Sequence, residues 1–494
     1  MNLFYNTRQD DEPLDAPQAI LRGLAPNKGL YTLKQMPKIN PESVSGLGFI
    51  DLSKKILSSY LAGFSTEIIE RCVDEAYSNR FDSTDIAPAV EVGNRVVVEL
   101  FHGPTAAFKD IALSILPRLM SEAAKLTDLD KNIVILTATS GDTGSSAMKG
   151  FCNVPGIRCL AFFPDKGISP IQRAQMTTME GDNILSCAIK GNFDDAQSGV
   201  KQIFSEIPEE FLTKNNLILS SANSINFGRL APQIVYYYSS YLQMVRERKI
   251  KMGDKVNYVV PTGNFGDILA GFLAKLSGLP IGRLICASNS NNVLFDFFQT
   301  GTYDRNRKFN VTISPSMDIL ISSNLERLLF WAADCNSDSV RKYLDDLQNL
   351  GKFSLKEEEL VKIRSTFSAE WVSENQTYKT IAQVFRGHGY LMDPHTAVAW
   401  KAGELYQRHT ADNSPMVVLS TASPFKFPSS VLKSFDRTAI LPDSAQAQVM
   451  MLQSVTGKKA PLCIGSLFGK QVRFQDLVKP DEMMAYVMDK EKTL

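Results

Sequence analysis

Histidine is scarce in this chain, with four among 494 residues, at positions 102, 388, 395 and 409. None belongs to an HExxH-type group. The seven cysteines, at 72, 152, 159, 187, 286, 335 and 463, include no CxxC pair. Neither residue type shows metal-ligand spacing, so no metal site is expected. An odd, scattered cysteine set also argues against a disulfide framework and for reduced, mostly buried thiols in a cytosolic setting. Excess charge of either sign is missing, since 53 Lys and Arg balance 53 Asp and Glu. That balance gives no electrostatic case for nucleic acid or an anionic membrane as partner. No segment reaches the ~20 uninterrupted apolar residues of a membrane helix. The opening MNLFYNTRQDDEP lacks both a secretory apolar core and the Arg-rich, acid-poor character of a transit peptide, and a cytoplasmic location is expected. Internal repeats and low-complexity linkers are absent as well.

What is present is an ordinary globular composition, 44% hydrophobic and 21% charged, in a chain longer than one domain usually is. Four regions are expected. Residues 1–95 read as a mostly helical lead-in, with DLSKKILSSYLAGF and TEIIERCVDEAYSNRF as amphipathic helices. Residues 131–225 alternate strand and helix as a small αβ domain. Residues 96–130 with 226–430 read as a larger αβ domain, and 431–494 as a C-terminal region. Within the larger domain, KFSLKEEELVK (352–362) reads as a solvent-facing helix.

Three segments carry chemistry. RVVVELFHGPTAAFKD (95–110) places Lys109 after a Gly-Pro turn in apolar company, with Asp110 its only adjacent acid. Burial disfavours the ammonium and frees an amine for Schiff-base formation; the plainer reading is a lysine whose head reaches water. The segment LTATSGDTGSSA (136–147) follows the β-branched run Ile133–Leu136, and VNYVVPTGNFGDILAGFLAKL (256–276) follows another strand. Each is a glycine-rich turn between strand and helix, which suits an anion or simply tight packing. The first lacks the Gly-Lys-Ser/Thr of a Walker loop. The second, with Gly263 and Gly266 spaced G-x-x-G, falls short of a dinucleotide fingerprint. A reactive lysine with two separate anion turns points to pyridoxal phosphate.

ELFHGPTAAFKD, ATSGDTGSSA, NSINFGRLAPQ (223–233), PTGNFGDILAG and LSTASPFKF (419–427) occur in this order. YNTR, GLAPNKGLYTLKQMP, SMDILISSNLERLLF and DPHTAVAW accompany them. Taken together they resemble the motif series of threonine synthase, over nearly the whole chain. The resemblance implies an α/β protein of the fold type II, tryptophan-synthase-β-like pyridoxal-phosphate class. Two open αβα domains would hold the cofactor in the cleft between them, beside a mostly helical N-terminal region.

It further implies that Lys109 is the Schiff-base and catalytic lysine. Gly263, Asn264, Phe265 and Gly266 would bind the cofactor's phosphate, and Thr421 would face its pyridine nitrogen. Ser140, Gly141, Asp142 and Thr143 match the loop for a substrate α-carboxylate. For a substrate phosphate, Asn226, Arg229, Asn192 and Lys426 are the candidates, Arg229 foremost for its bidentate guanidinium; an ion pair is its plainer reading. The motif around Thr421 departs from the family's Thr-Ala-His-Pro by carrying Ser423. His102 is either a loop-orienting or substrate-contacting group or a structural histidine, and Tyr236, Tyr237 and Tyr238 read as core and cleft packing. The implied activity is conversion of O-phospho-L-homoserine and water to L-threonine and phosphate, by a monomer or homodimer. A phospho-lyase releasing 2-oxobutyrate and a non-catalytic cofactor-binding protein are the alternatives.

Overall fold

In the computed structural model, which describes residues 2–490, uniformly apolar runs become the central strands. Val256–Pro261 is buried at every residue and Asn132–Ala138 from Ile133 onward, as parallel strands covered on both faces by helices must be. Six strands form the larger sheet, in the order Phe367–Trp371, Ile281–Ser288, Val256–Pro261, Met416–Ser420, Arg95–Glu99, Ala89–Val92. The first five run parallel and the last antiparallel. The smaller sheet is wholly parallel, in the order Leu477–Val478, Ile184–Ile189, Ile157–Pro164, Asn132–Ala138, Leu217–Ser220.

The amphipathic periodicity near the start becomes the helices Phe49–Tyr60 and Thr66–Tyr77, which bury Leu52, Ile56, Leu57, Ile69, Val73 and Ala76. Three assignments differ from the sequence reading. Ala89–Val92 leaves the helical lead-in to pair with Arg95–Glu99, because the two-residue Gly93-Asn94 connection, with Gly93 at φ +61°, closes a tight hairpin. The stretch 352–362 begins as a strand, Lys352–Ser354, paired with Thr302–Asp304, and becomes helical only at Glu357. The C-terminal region is divided between the two domains. Val431, Leu432, Val449, Leu452 and Ile464 join the core of the larger sheet. Leu477–Val478 adds an edge strand to the smaller one, and Met483, Tyr486 and Val487 pack there on Val200 and Ile203.

All seven cysteines are free thiols, four of them buried. Among the described residues no helix is long and apolar enough to cross a membrane. Strands from both sheets end facing one cleft, where ligands of open parallel sheets bind.

Candidate active site

The cleft holds a cavity of about 220 Å³. Lys109 opens the helix Lys109–Leu126 behind a tight turn in which Ala106 sits at φ +56°. An alanine in the left-handed region costs on the order of 1 kcal/mol. The neighbouring loop stabilises it: Ser423 N–H donates to the Ala106 carbonyl at 3.1 Å and Phe108 N–H to the Thr421 carbonyl at 2.8 Å. The Lys109 turn and the Thr421 loop are thus stitched together, and Lys109 and Thr421 both line the cavity. Burial, opposed mainly by Asp142, brings the Lys109 ammonium down to about 8. Its nearest carboxylate is Asp142, 3.8 Å away, rather than the adjacent Asp110, whose oxygens accept from Thr105 N–H and Oγ1.

The 139–143 turn is tight, since its helix begins at Asp142, inside the segment 136–147. Gly141 takes φ +129°, and a Cβ there would lie 2.4 Å from Gln172. Thr139 Oγ1 accepts from the N–H groups of Gly141 and Gly144. Ser140 and Thr143 face the cavity. The Asp142 side chain turns to Gln172 and Lys426.

Gly263, Asn264, Phe265 and Gly266 also line the cavity. The left-handed residue is neither glycine but Phe265, at φ +61°. Its ring packs with Phe298 and Phe367, and that burial offsets the strain. Gly263 is needed for closeness, because its Cβ would lie 2.5 Å from the Ser316 carbonyl. Helix Gly266–Ser277 begins here without a side-chain cap, so its N-terminal N–H groups are presented to the cavity as an anion site. Ser322 Oγ donates to the Gly263 carbonyl at 2.7 Å, and Asn324 N–H and Nδ2 both donate to the Asn264 carbonyl. Asp267, in the helix's first turn, is pushed up to about 6 by burial, against hydrogen bonds from the Tyr236 and Tyr237 hydroxyls. A reactive amine, an uncapped helix start and a neutral hydroxyl around one cavity fit pyridoxal phosphate.

At Gly266 itself a Cβ meets nothing nearer than 3.5 Å. Gly266→Ala is therefore expected to fold with an unchanged Tm yet bind cofactor more weakly, by about 1.5–3 kcal/mol for each phosphate hydrogen bond lost. Cofactor titration checks this; parental affinity would move the phosphate elsewhere.

Arg229 lies in helix Phe227–Arg246, is 2% exposed, and lines the cavity. One terminal nitrogen donates to the Ala222 carbonyl at 2.7 Å, while Nε has no partner. Burial alone lowers its guanidinium, to about 10, and among the described residues no carboxylate pairs with it. The other phosphate candidates lie outside the cavity lining. Asn226 caps its helix, accepting from Gly228 N–H and donating to the Ile20 carbonyl. Asn192, exposed, accepts from Asp195 N–H. Lys426 is fully buried against Asp142 and the Thr105 carbonyl.

Sequence reasoning assigned no role to Lys201, Ser316 and His395, which also line the cavity. His395 Nε2 accepts from Ser316 N–H at 3.1 Å and Nδ1 bonds Asp393 at 2.7 Å, so geometry assigns the neutral tautomer with its proton on Nδ1. Its only signal was position, two residues after the helix-capping Asp393 in DPHTAVAW.

His102 stands outside the cavity between Asp82 (2.6 Å) and Glu99 (2.9 Å). Burial lowers its basicity, but the two carboxylates outweigh that and push it up to about 9. A raised folded value stabilises fully below the unfolded value near 6.5 and is lost as pH rises through about 9. Tm should fall between roughly pH 7 and 10, with a shallower fall in His102→Gln; an equal slope would remove His102 from the explanation.

A pyridoxal-phosphate-dependent enzyme of the α/β class is what this fold and site define, and the family model described as "Pyridoxal-phosphate dependent enzyme" matches residues 87–422. Models of the threonine synthase N terminus and C-terminal region match 3–77 and 396–484. The chain is 39% identical to threonine synthase of Pseudomonas aeruginosa over 436 residues, 87% of this chain and 90% of that one. It is 36% identical to human threonine synthase-like 1 over 88% of its own length, but spans only 60% of that protein. Two solved structures superpose over essentially both whole chains. Threonine synthase from yeast does so with TM-score 0.88 at 31% identity, covering 99% of each chain. The PLP-bound threonine synthase from Brucella melitensis gives 0.87 at 35%, covering 100% of each. The chain belongs to the threonine synthase family.

Proposed function

We propose that the protein converts O-phospho-L-homoserine and water to L-threonine and phosphate, in the cytoplasm, as a monomer or homodimer without nucleic-acid or membrane partners. The observation that carries this reading is Arg229, a buried guanidinium that faces the cavity and has no carboxylate partner among the described residues. A cofactor with one phosphate is served by the Gly263–Gly266 turn, so Arg229 is left for a second anion. A substrate bearing its own phosphate supplies one.

When bound, pyridoxal phosphate supplies an electron sink conjugated to the substrate's α-carbon. Lys109 would hold the cofactor, and its free amine would take and return protons at Cα and Cβ of the substrate; an amine near 8 is matched to both directions of transfer at neutral pH. Ser140, Thr143 and the start of helix Asp142–Phe151 receive the α-carboxylate. Thr421, which lines the cavity, would offer the pyridine nitrogen a neutral hydroxyl and so would not enforce its protonation. Arg229 takes the γ-phosphate and stabilises the charge that grows on it as the Cγ–O bond breaks. Water then adds at Cβ.

The deciding experiment is mass identification of the product from O-phospho-L-homoserine. L-threonine with equimolar phosphate is expected. 2-Oxobutyrate with ammonia would make the protein a phospho-lyase, and cofactor binding without turnover would make it a binding protein.

A further inference from the structure

Asp142 lies between two ammonium groups from distant parts of the chain. Its Oδ1 accepts from Lys426 Nζ at 2.8 Å and from Gln172 Nε2 at 2.9 Å. Its Oδ2 faces Lys109 Nζ at 3.8 Å and accepts from Ser316 Oγ at 3.2 Å. Lys426 is wholly out of solvent, Asp142 3% exposed and the Lys109 side chain 12%. Lys426 makes a second bond, to the Thr105 carbonyl at 2.8 Å. Thr105 in turn engages the other nearby carboxylate, Asp110. One carboxylate is therefore shared between two buried cations, and the better-placed one is the lysine away from the cavity. A side chain so engaged is a poor ligand for an incoming carboxylate, and Lys426 is a poor ligand for a phosphate.

We propose that Asp142 and Lys426 form a positioning pair that sets the charge of Lys109. Asp142 gives the amine a carboxylate within reach whenever it carries a proton, and Lys426 holds that carboxylate back so the proton is not trapped. The proposal rests on Lys109 being the lysine that holds the cofactor and moves protons. With Lys426 bonded at 2.8 Å, Lys109 is left at a separation where attraction only partly offsets burial. The other charged groups facing Lys109 are Arg229, Asp110 and Asp267, and the neutral His395 shares the cavity. Of these, Asp142 is the carboxylate within ion-pair distance. It comes from the smaller sheet's helix, whereas Lys426 follows the larger sheet's strand Met416–Ser420. Charge tuning therefore depends on the two domains meeting as they do here.

The test is competitive acetylation of the full-length protein, free of cofactor, with acetic anhydride across a pH series. The Lys109 peptide is quantified by mass spectrometry. The parent midpoint should lie near 8. Asp142→Asn should lower it by about one unit or more, Lys426→Met should raise it by about one unit, and the double variant should return close to the parent. Opposite shifts that cancel are not produced by a general loosening of the cleft. Midpoints that stay put or move the same way in both single variants overturn the pair. If Asp142→Asn does not fold, Lys426→Met decides alone, a rise supporting the proposal and an unchanged or lower midpoint ending it. Saturating the parent with pyridoxal phosphate should abolish acetylation at Lys109. Undiminished labelling there would refute the cofactor assignment while leaving the titration to judge the pair.

Discussion

Lys109→Ala is expected to be a folded protein with no turnover and no visible absorbance from a lysine-bound cofactor. Turnover should fall by at least about 10³-fold, because the same amine holds the cofactor and moves the protons. Borohydride reduction of the loaded parent should fix pyridoxal phosphate on the peptide containing Lys109 and nowhere else. Among the described residues one lysine has the required combination: lining the cavity beside Thr421, largely desolvated, and with its ammonium brought down to about 8. A label recovered on Lys201, which also lines the cavity, or on any other lysine would defeat the assignment. A Tm within a degree or two of the parent would separate chemical loss from unfolding.

Arg229→Ala should lower kcat/KM for O-phospho-L-homoserine by roughly 100-fold or more, about 3 kcal/mol, with kcat affected as well as KM. Cofactor absorbance should be unchanged. Arg229→Lys should recover only part of the loss, since an ammonium cannot grip a phosphate with two parallel bonds. A second consequence follows from Nε lacking a partner. An unpaired buried cation costs folding free energy, so Arg229→Met without ligand should be at least as stable as the parent. Near-normal kinetics would pass the phosphate role to Lys201. Loss of the cofactor spectrum would instead show that the bond to the Ala222 carbonyl makes Arg229 a structural residue.

What could be read from the sequence is local in the chain. The turns at 139–143 and 263–266 each sit between an apolar strand and a helix that begins at once, and strand, small residues and helix leave a contiguous pattern. Lys109 was visible for the same reason. What escaped depends on contacts between distant residues. Nothing around Lys426 announces that its charge is spent on Asp142, and Asn226 resembles a ligand until its bond to the Ile20 carbonyl is seen. Intrinsic preference favours a glycine at a left-handed position, whereas burial among Phe298 and Phe367 lets Phe265 override it. His395 stands in DPHTAVAW, but only the fold carries it to the 315–318 segment.

The edge strand Leu477–Val478 bears on how the protein is made. It pairs with Ala188 and Ile189, the end of strand Ile184–Ile189, and nearby contacts join residues 289 positions apart. A ribosome therefore delivers the smaller domain unfinished and completes it only after the whole larger domain has emerged. Until then the backbone of Ala188 and Ile189 is open to pairing with another nascent copy. Chains stopped short of Leu477 should accumulate as aggregates with every cavity-lining residue already synthesised.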